Sequence, residues 1–459
     1  MWSVRNRLIV LGFVLLGAFQ VGIAQPHSTI IPKRNSPYSR FGLGDPVTQY
    51  CAAQTGMAGM AASFNNHSRA NLVNPASLAW MRFTAFEVGL SARRSSLSEE
   101  QTDGSTDLWS GNLRNLSLAF PLRNSINQVV DRRRAKFNWG MSFSLQPFTE
   151  VGYNLELEEP LSEGDGENTE TFVNSLKGTG GTYRLVWGNG FRYENLSAGF
   201  TVGYLFGQIT NSRRVTLANV GGAGSSYASE FLDEISVRGL TWSVGTQYQL
   251  VLQLDEDTNF AEKSITFGAY GNSATSFNTR ADQFYSRDNR ALTPVTDTLV
   301  YSENVENTGR LPAQFGFGAM YHDLNKLRLG VDASFTNWSG YENGAKPEEL
   351  ANAYRFAAGV EWIPDIEAFN NYLQKIRYRL GTFYGTDPRT VNGQQLTEYG
   401  LSLGIGLPLI RPRQQTSYID LAVEVGQFGL QQAVRDTYIQ MTVGFTLNDN
   451  TWFFKRKFN

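Results

Sequence analysis

Residues Tyr399–Leu407 read YGLSLGIGL, and their alternation decides the fold class. Tyr399, Leu401, Leu403, Ile405 and Leu407 share one face of an extended chain; Gly400, Ser402, Gly404 and Gly406 share the other. Ile439, Met441, Val443, Phe445 and Leu447 repeat the pattern over Gln440, Thr442, Gly444 and Thr446. The same period of two runs through Phe137–Leu145, Leu196–Phe206, Leu327–Phe335 and Tyr354–Trp362. A soluble sandwich also alternates. Here, though, the less greasy face is built from Gly, Ser, Thr and Asn rather than the Lys and Glu that coat a solvated sheet. Small side chains suit a filled lumen.

Working outward, such segments begin near Phe83, Leu113, Phe137, Thr171, Leu196, Ile235, Ile265, Leu299, Leu327, Ala353, Ile376, Leu396, Ser417 and Tyr438. That predicts an all-β, antiparallel transmembrane barrel of about fourteen strands over residues 82–449, an even number as bacterial single-chain barrels have. Ser95–Asn112, Leu161–Glu170, Asn219–Glu230 and Ala281–Thr296 read as outer loops. Glu194-Asn195, His322–Asn325 and Arg411–Gln415 read as short periplasmic turns. Arg123–Ala135 and Asp365–Gln374 are longer inner connections, the second with the spacing of a short helix. Trp139, Trp187, Trp242, Trp338, Trp362, Tyr248, Tyr378 and Tyr384 lie towards strand ends, as an interfacial aromatic belt requires.

The start of the chain gives the compartment. Arg5 and Arg7 precede an apolar run from Leu8 to Phe19, and Gly22-Ile23-Ala24 offers small residues before Gln25. Residues 1–24 thus read as a signal peptide. After residue 24 no stretch approaches the ~18 apolar residues of a spanning helix. A closed barrel in the bacterial outer membrane, with membrane lipid as its surroundings, satisfies both observations. The net charge of −2 gives no electrostatic case for nucleic acid, and one cysteine, Cys51, allows neither an intrachain disulfide nor a cysteine metal site. Three histidines and no nucleophile elbow, zinc helix or phosphate loop point away from an enzyme, and no cofactor or metal is expected.

Residues 25–81 have another texture. SPYSRFGLGD (36–45), QTGMAGMAA (54–62) and NLVNPASLAW (71–80) are rich in small residues and turn formers, without alternation. Pro75 after Asn74 opens a turn or short helix. A fourteen-strand barrel leaks if unfilled, so this segment reads as an N-terminal hatch in the lumen. Pro147, inside a strand, cannot donate to a ladder; with Gly178, Gly180 and Gly181 on the next strand it marks a candidate bulge or lateral gap. With Leu, Ile and Val facing out, Arg328, Asp332, Arg355, Glu361, Arg377, Arg379, Asp420 and Glu424 face the lumen, all but Asp332 and Arg355 in its periplasmic half. They read as an ion-pair network pinning the hatch, or, for Arg377 and Arg379, as groups for a ligand carboxylate. Residues 450–459, with WFFKRKF at 452–458, follow a turn signal and read as a periplasmic aromatic-basic tail that anchors to lipid or meets a partner.

The run TGMAGMAASFNNHSRANLVNPASLAWMRFTAFEVGL (55–90), with its Asn74-Pro75-Ala76 tripeptide, resembles the hatch and first strand of the FadL-type hydrophobic-compound transporters. LPAQFGFGAMY (311–321) resembles a later strand of that family, and the two ends of the chain resemble such barrels from Bacteroidota. The resemblance implies passive uptake of a hydrophobic small-molecule ligand such as a long-chain fatty acid. The alternative is a non-transporting accessory subunit of an outer-membrane protein assembly or secretion complex. An apolar lumen running to a gap would mark the first; a lumen packed with side chains would mark the second.

Overall fold

The structure is a computed structural model. It describes residues 36–99, 102–123, 136–160, 171–218, 227–254, 261–289, 295–324, 326–368, 370–411, 415–430 and 434–449. The signal peptide, the tail at 450–459, the loop at 161–170 and most of 123–135 lie outside these residues.

The chain forms a closed antiparallel barrel of fourteen strands. They are β1 Thr84–Glu99, β2 Thr102–Pro121, β3 Phe137–Pro160, β4 Thr171–Tyr193, β5 Leu196–Ala218, β6 Tyr227–Leu254, β7 in two segments (Ala261–Asn272 and Thr275–Asn289), β8 in two segments (Val295–Leu311 and Gln314–Asp323), β9 Leu327–Thr336, β10 Ala353–Trp362, β11 Arg377–Val391, β12 Gln394–Arg411, β13 Gln415–Gly429 and β14 Val434–Asp449. Each pairs with its sequence neighbours, and β14 closes on β1 from Thr84↔Asp449 to Glu99↔Val434. Closure leaves no edge in the hydrocarbon, the condition for a sheet to span a bilayer.

The alternation in 399–407 is realised as read. Leu401 and Leu403 are 59% and 58% exposed on the lipid face, while Ser402 between them is fully buried inside. Trp139, Trp187, Trp242, Trp362, Tyr248 and Tyr384 are exposed on the outer wall. Trp338 is a correction: it belongs to a 3-10 turn, Trp338–Gly340, that packs inward on Tyr341. Among the described residues of 365–374, the expected short helix takes the form of a 3-10 turn over Tyr372–Lys375.

Strand extends into three expected outer loops, taking up most of two of them. β1 and β2 run through most of 95–112, β6 begins at Tyr227, and β7 extends to Asn289 with β8 starting again at Val295. Strands β3 to β6 are 24, 23, 23 and 28 residues long, against ~9–11 needed to span. Strands β9 and β10 have only 10 each. The wall is therefore tall on one side and low on the other. Its periplasmic ends are joined by tight turns such as Glu194-Asn195; outside, β11 and β12 meet at Asn392-Gly393, whose φ values of 51° and 76° make a hairpin turn that Asn and Gly favour.

One ladder is incomplete. β2 and β3 pair only from Leu116↔Leu145 to Pro121↔Gly140. Beyond that point β2 continues with β1, and β3 with β4. The freed edge of β3 takes up the two-residue strand Asp45–Pro46, paired with Glu150 and Thr149.

Candidate functional site: the lumen and the interrupted wall

Asn74 is the hub of the N-terminal segment. Its Oδ1 accepts from the Ala76 N–H at 3.1 Å, capping the 3-10 turn Pro75–Trp80, which proline opens at no hydrogen-bonding cost. Its Nδ2 donates to Ala62 O at 2.6 Å and, at 3.3 Å each, to Thr246 O on β6 and Ala269 O on β7. Ala76 is fully buried. The wall has room only because it lacks side chains here: a Cβ on Gly245 would sit 2.0 Å from Asn74 Oδ1, and one on Gly268 1.9 Å from Ala62 O. That is the physical meaning of the Gly/Ser/Thr face read from the sequence. Lower down, Trp80 donates from Nε1 to Ser197 Oγ at 3.1 Å, with the Arg192 guanidinium 4.3 Å over its ring.

Seven of the eight charges read as inward-facing engage one another or this segment. Asp332 Oδ2 accepts from the Ala61 and Ala62 N–H groups at 2.9 and 2.7 Å. Arg355 donates to Ala58 O at 2.9 Å. Glu361 sits among Arg379 (2.7 Å), Arg377 (3.1 Å) and Arg328 (3.5 Å). Arg379 bridges on to Asp420 at 2.7 Å. Asp420 also takes a two-bond fork from Arg69, at 2.7 and 2.9 Å, with both side chains buried. Glu424, the eighth, accepts from Gln440 at 2.9 Å and borders the cavity above rather than this cluster. Arg377 and Arg379 are thus both engaged with Glu361.

Sequence reasoning missed Arg69. It is the one Lys or Arg between Cys51 and Met81, a stretch rich in small residues, which was the available signal; its partner lies 351 residues away, which was not available.

Above the cluster lies a cavity of about 360 Å³, bordered by Arg93, Arg114, Arg355, Glu150, Glu398 and Glu424 among others. Arg93 pairs with Asp436 at 2.7 Å and stacks 3.6 Å over Tyr438. The lining at this level is mixed: these charged groups alternate with apolar and aromatic side chains such as Leu72, Val73, Phe148, Phe383 and Phe428. Residues 36–47 cross its outer end. Tyr38 donates to Val434 O at 2.6 Å, Arg389 donates to Tyr38 O at 2.8 Å and to Asp45, and Glu348 accepts from the Gly42 N–H. Burial pushes the Tyr38 phenol up to about 12. Further out, the inner face of the tall wall is apolar, with Val151, Tyr153, Leu205, Ile209, Ile235 and Phe277 packed against Leu43 and Tyr341.

Pro147, Gly178, Gly180 and Gly181 meet where β3 leaves β2. The β3–β4 ladder shifts register between Pro147 and Thr149, leaving Phe148 as an extra residue. Gly180 and Gly181 adopt φ of 118° and 145°, and a Cβ on either would approach the Gln208 or Thr149 carbonyl oxygen to 2.2 or 2.4 Å. Gly178 lies under the Tyr153 ring.

The BamG family model matches residues 7–459. No curated protein matches the chain. Among solved structures, a FadL homologue of Pseudomonas aeruginosa superposes with a TM-score of 0.52 at 13% identity, covering 86% of this chain and 97% of its own. The toluene transporter TodX of P. putida gives 0.50 at 13% identity, covering 88% and 99%. At these identities the likeness establishes the fold: a FadL-type barrel.

Proposed function

The chain belongs to the BamG family, and from that premise we propose that it is a plugged, non-conducting accessory barrel of an outer-membrane protein assembly or secretion complex. The carrying observation is how the lumen is filled. Residues 51–81 act as a hatch held by backbone-to-side-chain bonds on β6, β7, β9 and β10 and by the Arg69–Asp420 fork. Above the hatch the cavity is bordered by charges of both signs, of which Arg93 pairs with Asp436. A greasy solute filling that space would also have to strip water from charged groups such as Arg114, Glu150 and Glu398, which costs free energy that the apolar part of the lining must offset. The buried ion pairs also resist opening, since separating one leaves a charge without a partner.

A second reading, passive uptake of hydrophobic compounds such as long-chain fatty acids, is favoured by one feature. The wall parts between β2 and β3 above Leu116 and Leu145, beside the apolar surface around Val151 and Tyr153. A ligand captured there would leave sideways past Pro147 into lipid.

Gentle detergent extraction followed by native mass spectrometry separates the two. A stoichiometric protein partner on a barrel without ligand supports the accessory reading. A bound fatty acid or similar apolar molecule, with no partner, overturns it in favour of uptake.

A further inference from the structure

We propose that the edge of β3 above Gly152 is a strand-addition site for an extended segment of a partner protein whose residues alternate apolar and basic. The inference rests on the accessory-barrel reading and names how the partner is held.

From Thr149 to Pro160 β3 stays in unbroken register with β4, while its other edge has lost β2. The lower part of that edge already works by strand addition. Asp45 and Pro46 pair with Glu150 and Thr149, and the Val47 N–H donates to Phe148 O. At Gly152 the carbonyl accepts from the Ser36 N–H at 2.9 Å and the N–H donates to Ser39 Oγ at 3.1 Å. Both polar groups of Gly152 therefore point away from β4. By the period of two, Asn154, Glu156 and Glu158 turn their N–H and C=O groups the same way. Among the described residues, nothing pairs with the backbone at these three positions.

The edge of β8 shows what protection looks like. Beyond Gly309 and Arg310, which pair with Asn343 and Glu342, β8 also runs without a second neighbour. Its ladder is broken by two register shifts, and Asn304 within the second has φ of 58°. Bulges of this kind spoil an edge for pairing. On β3 the only shift lies below Thr149, so the edge above it is straight. The β8 edge is blunted; the β3 edge is left regular.

The side chains give the partner's chemistry. Towards the interior, Val151 and Tyr153 are buried, Leu155 is half-buried and Leu157 is 46% exposed, an apolar row open at its outer end. On the opposite face Asn154, Glu156 and Glu158 are exposed. A strand laid beside them places apolar residues next to Leu155 and Leu157 and basic residues next to the two glutamates.

Glu156→Pro tests the edge. It removes a hydrogen-bond donor that faces away from β4, a position where a strand tolerates proline. Glu156→Ala removes only the charge. In gently extracted complexes from cells, Glu156→Pro should keep the heat-modifiable gel mobility of a folded barrel and lower partner recovery by about tenfold or more, the equivalent of about 1.4 kcal/mol. Glu156→Ala should lower it less. A photo-crosslinking phenylalanine analogue at Asn154 should capture the partner, and one at Glu303 on β8 should not; this arm decides if the proline variant does not fold. Wild-type partner recovery by folded Glu156→Pro overturns strand addition while leaving the accessory reading intact. A crosslink from Asn154 to residues 25–35 of the same chain overturns it in favour of the chain's own segment as occupant. No partner with the wild type overturns both readings.

Discussion

At the residue scale the decisive contact is the fork between Arg69 and Asp420. Both side chains are buried, so removing Asp420 strands the Arg69 charge, at a typical cost of about 3–5 kcal/mol, while removing Arg69 leaves Asp420 with Arg379 and should cost less. Arg69→Leu and Asp420→Leu should each loosen the N-terminal segment, read as faster hydrogen exchange and protease cutting within residues 58–82. The double variant should be less damaging than the sum of the two, because Arg379 still has Glu361. Additive effects would show that the fork is not what holds the segment.

His67 carries a pH dependence. Its Nδ1–H donates to Trp80 O at 2.7 Å, and burial first, then the Arg82 charge, hold its pKa well below the ordinary value. The unfolded segment therefore binds a proton that the folded one refuses. Its stability is complete above the ordinary histidine pKa and falls as pH drops below about 6.5. Exchange at residues 58–82 should speed up between pH 7.5 and pH 5, and His67→Gln should flatten that change.

The eight inward charges were legible because period two fixes which face a residue occupies. Which of them meet was not, because pairing depends on strand neighbours and on the height of each residue in the wall. Arg69 shows the limit most clearly, since nothing local to it specifies Asp420.

At the element scale, the strand start points were legible wherever a greasy face met lipid. They failed above the membrane. Tyr227–Glu230 and Ala281–Asn289 are strand, yet Ser, Asp, Gln and Arg interrupt any greasy face there. Sequence reasoning therefore read parts of the tall wall as loop. The Pro147 region was legible as irregular, because proline lacks a donor. That β2 rather than β4 parts from β3 was not, since the departing strand carries no proline of its own at the break. Gly180→Val and Gly181→Val should each destabilise the barrel by more than the ~1–3 kcal/mol of an ordinary strained backbone position, since each adds a clash with a carbonyl to an unfavourable φ. A lower temperature for loss of heat-modifiable mobility would show it; unchanged mobility would mean that the strands shift to accommodate a side chain.

At the scale of the whole molecule, the proposed hatch and the outer crossing at residues 36–47 would together close a wide barrel. Deleting residues 36–81 from the mature chain should give a folded barrel that conducts ions in planar bilayers and sensitises cells to large antibiotics, while the intact protein does neither. A silent deletion variant would mean that the wall collapses on itself. The fold was legible at this scale from strand parity and count. The mixed lining of the outer cavity was not, because it is assembled from β1, β2, β10, β12 and β13 and from the N-terminal segment, among others, at once.

The long chain separation of the Arg69–Asp420 contact also constrains the order in which the molecule is made. Residues 36–81 leave the ribosome before any strand, yet their deepest anchor is on β13, and the ring is completed only when β14 finds β1. Contacts so distant in sequence must meet the entropy of a very large loop before they return any stabilisation, and so they form late. The hatch cannot be threaded through a finished ring as easily as a ring can be wrapped around a hatch. Zipping of β14 onto β1 is then also the step that traps the segment, and a chain stalled before that step would hold both an open sheet and an unseated Arg69. Such a half-built ring is the form most in need of a chaperone in the periplasm.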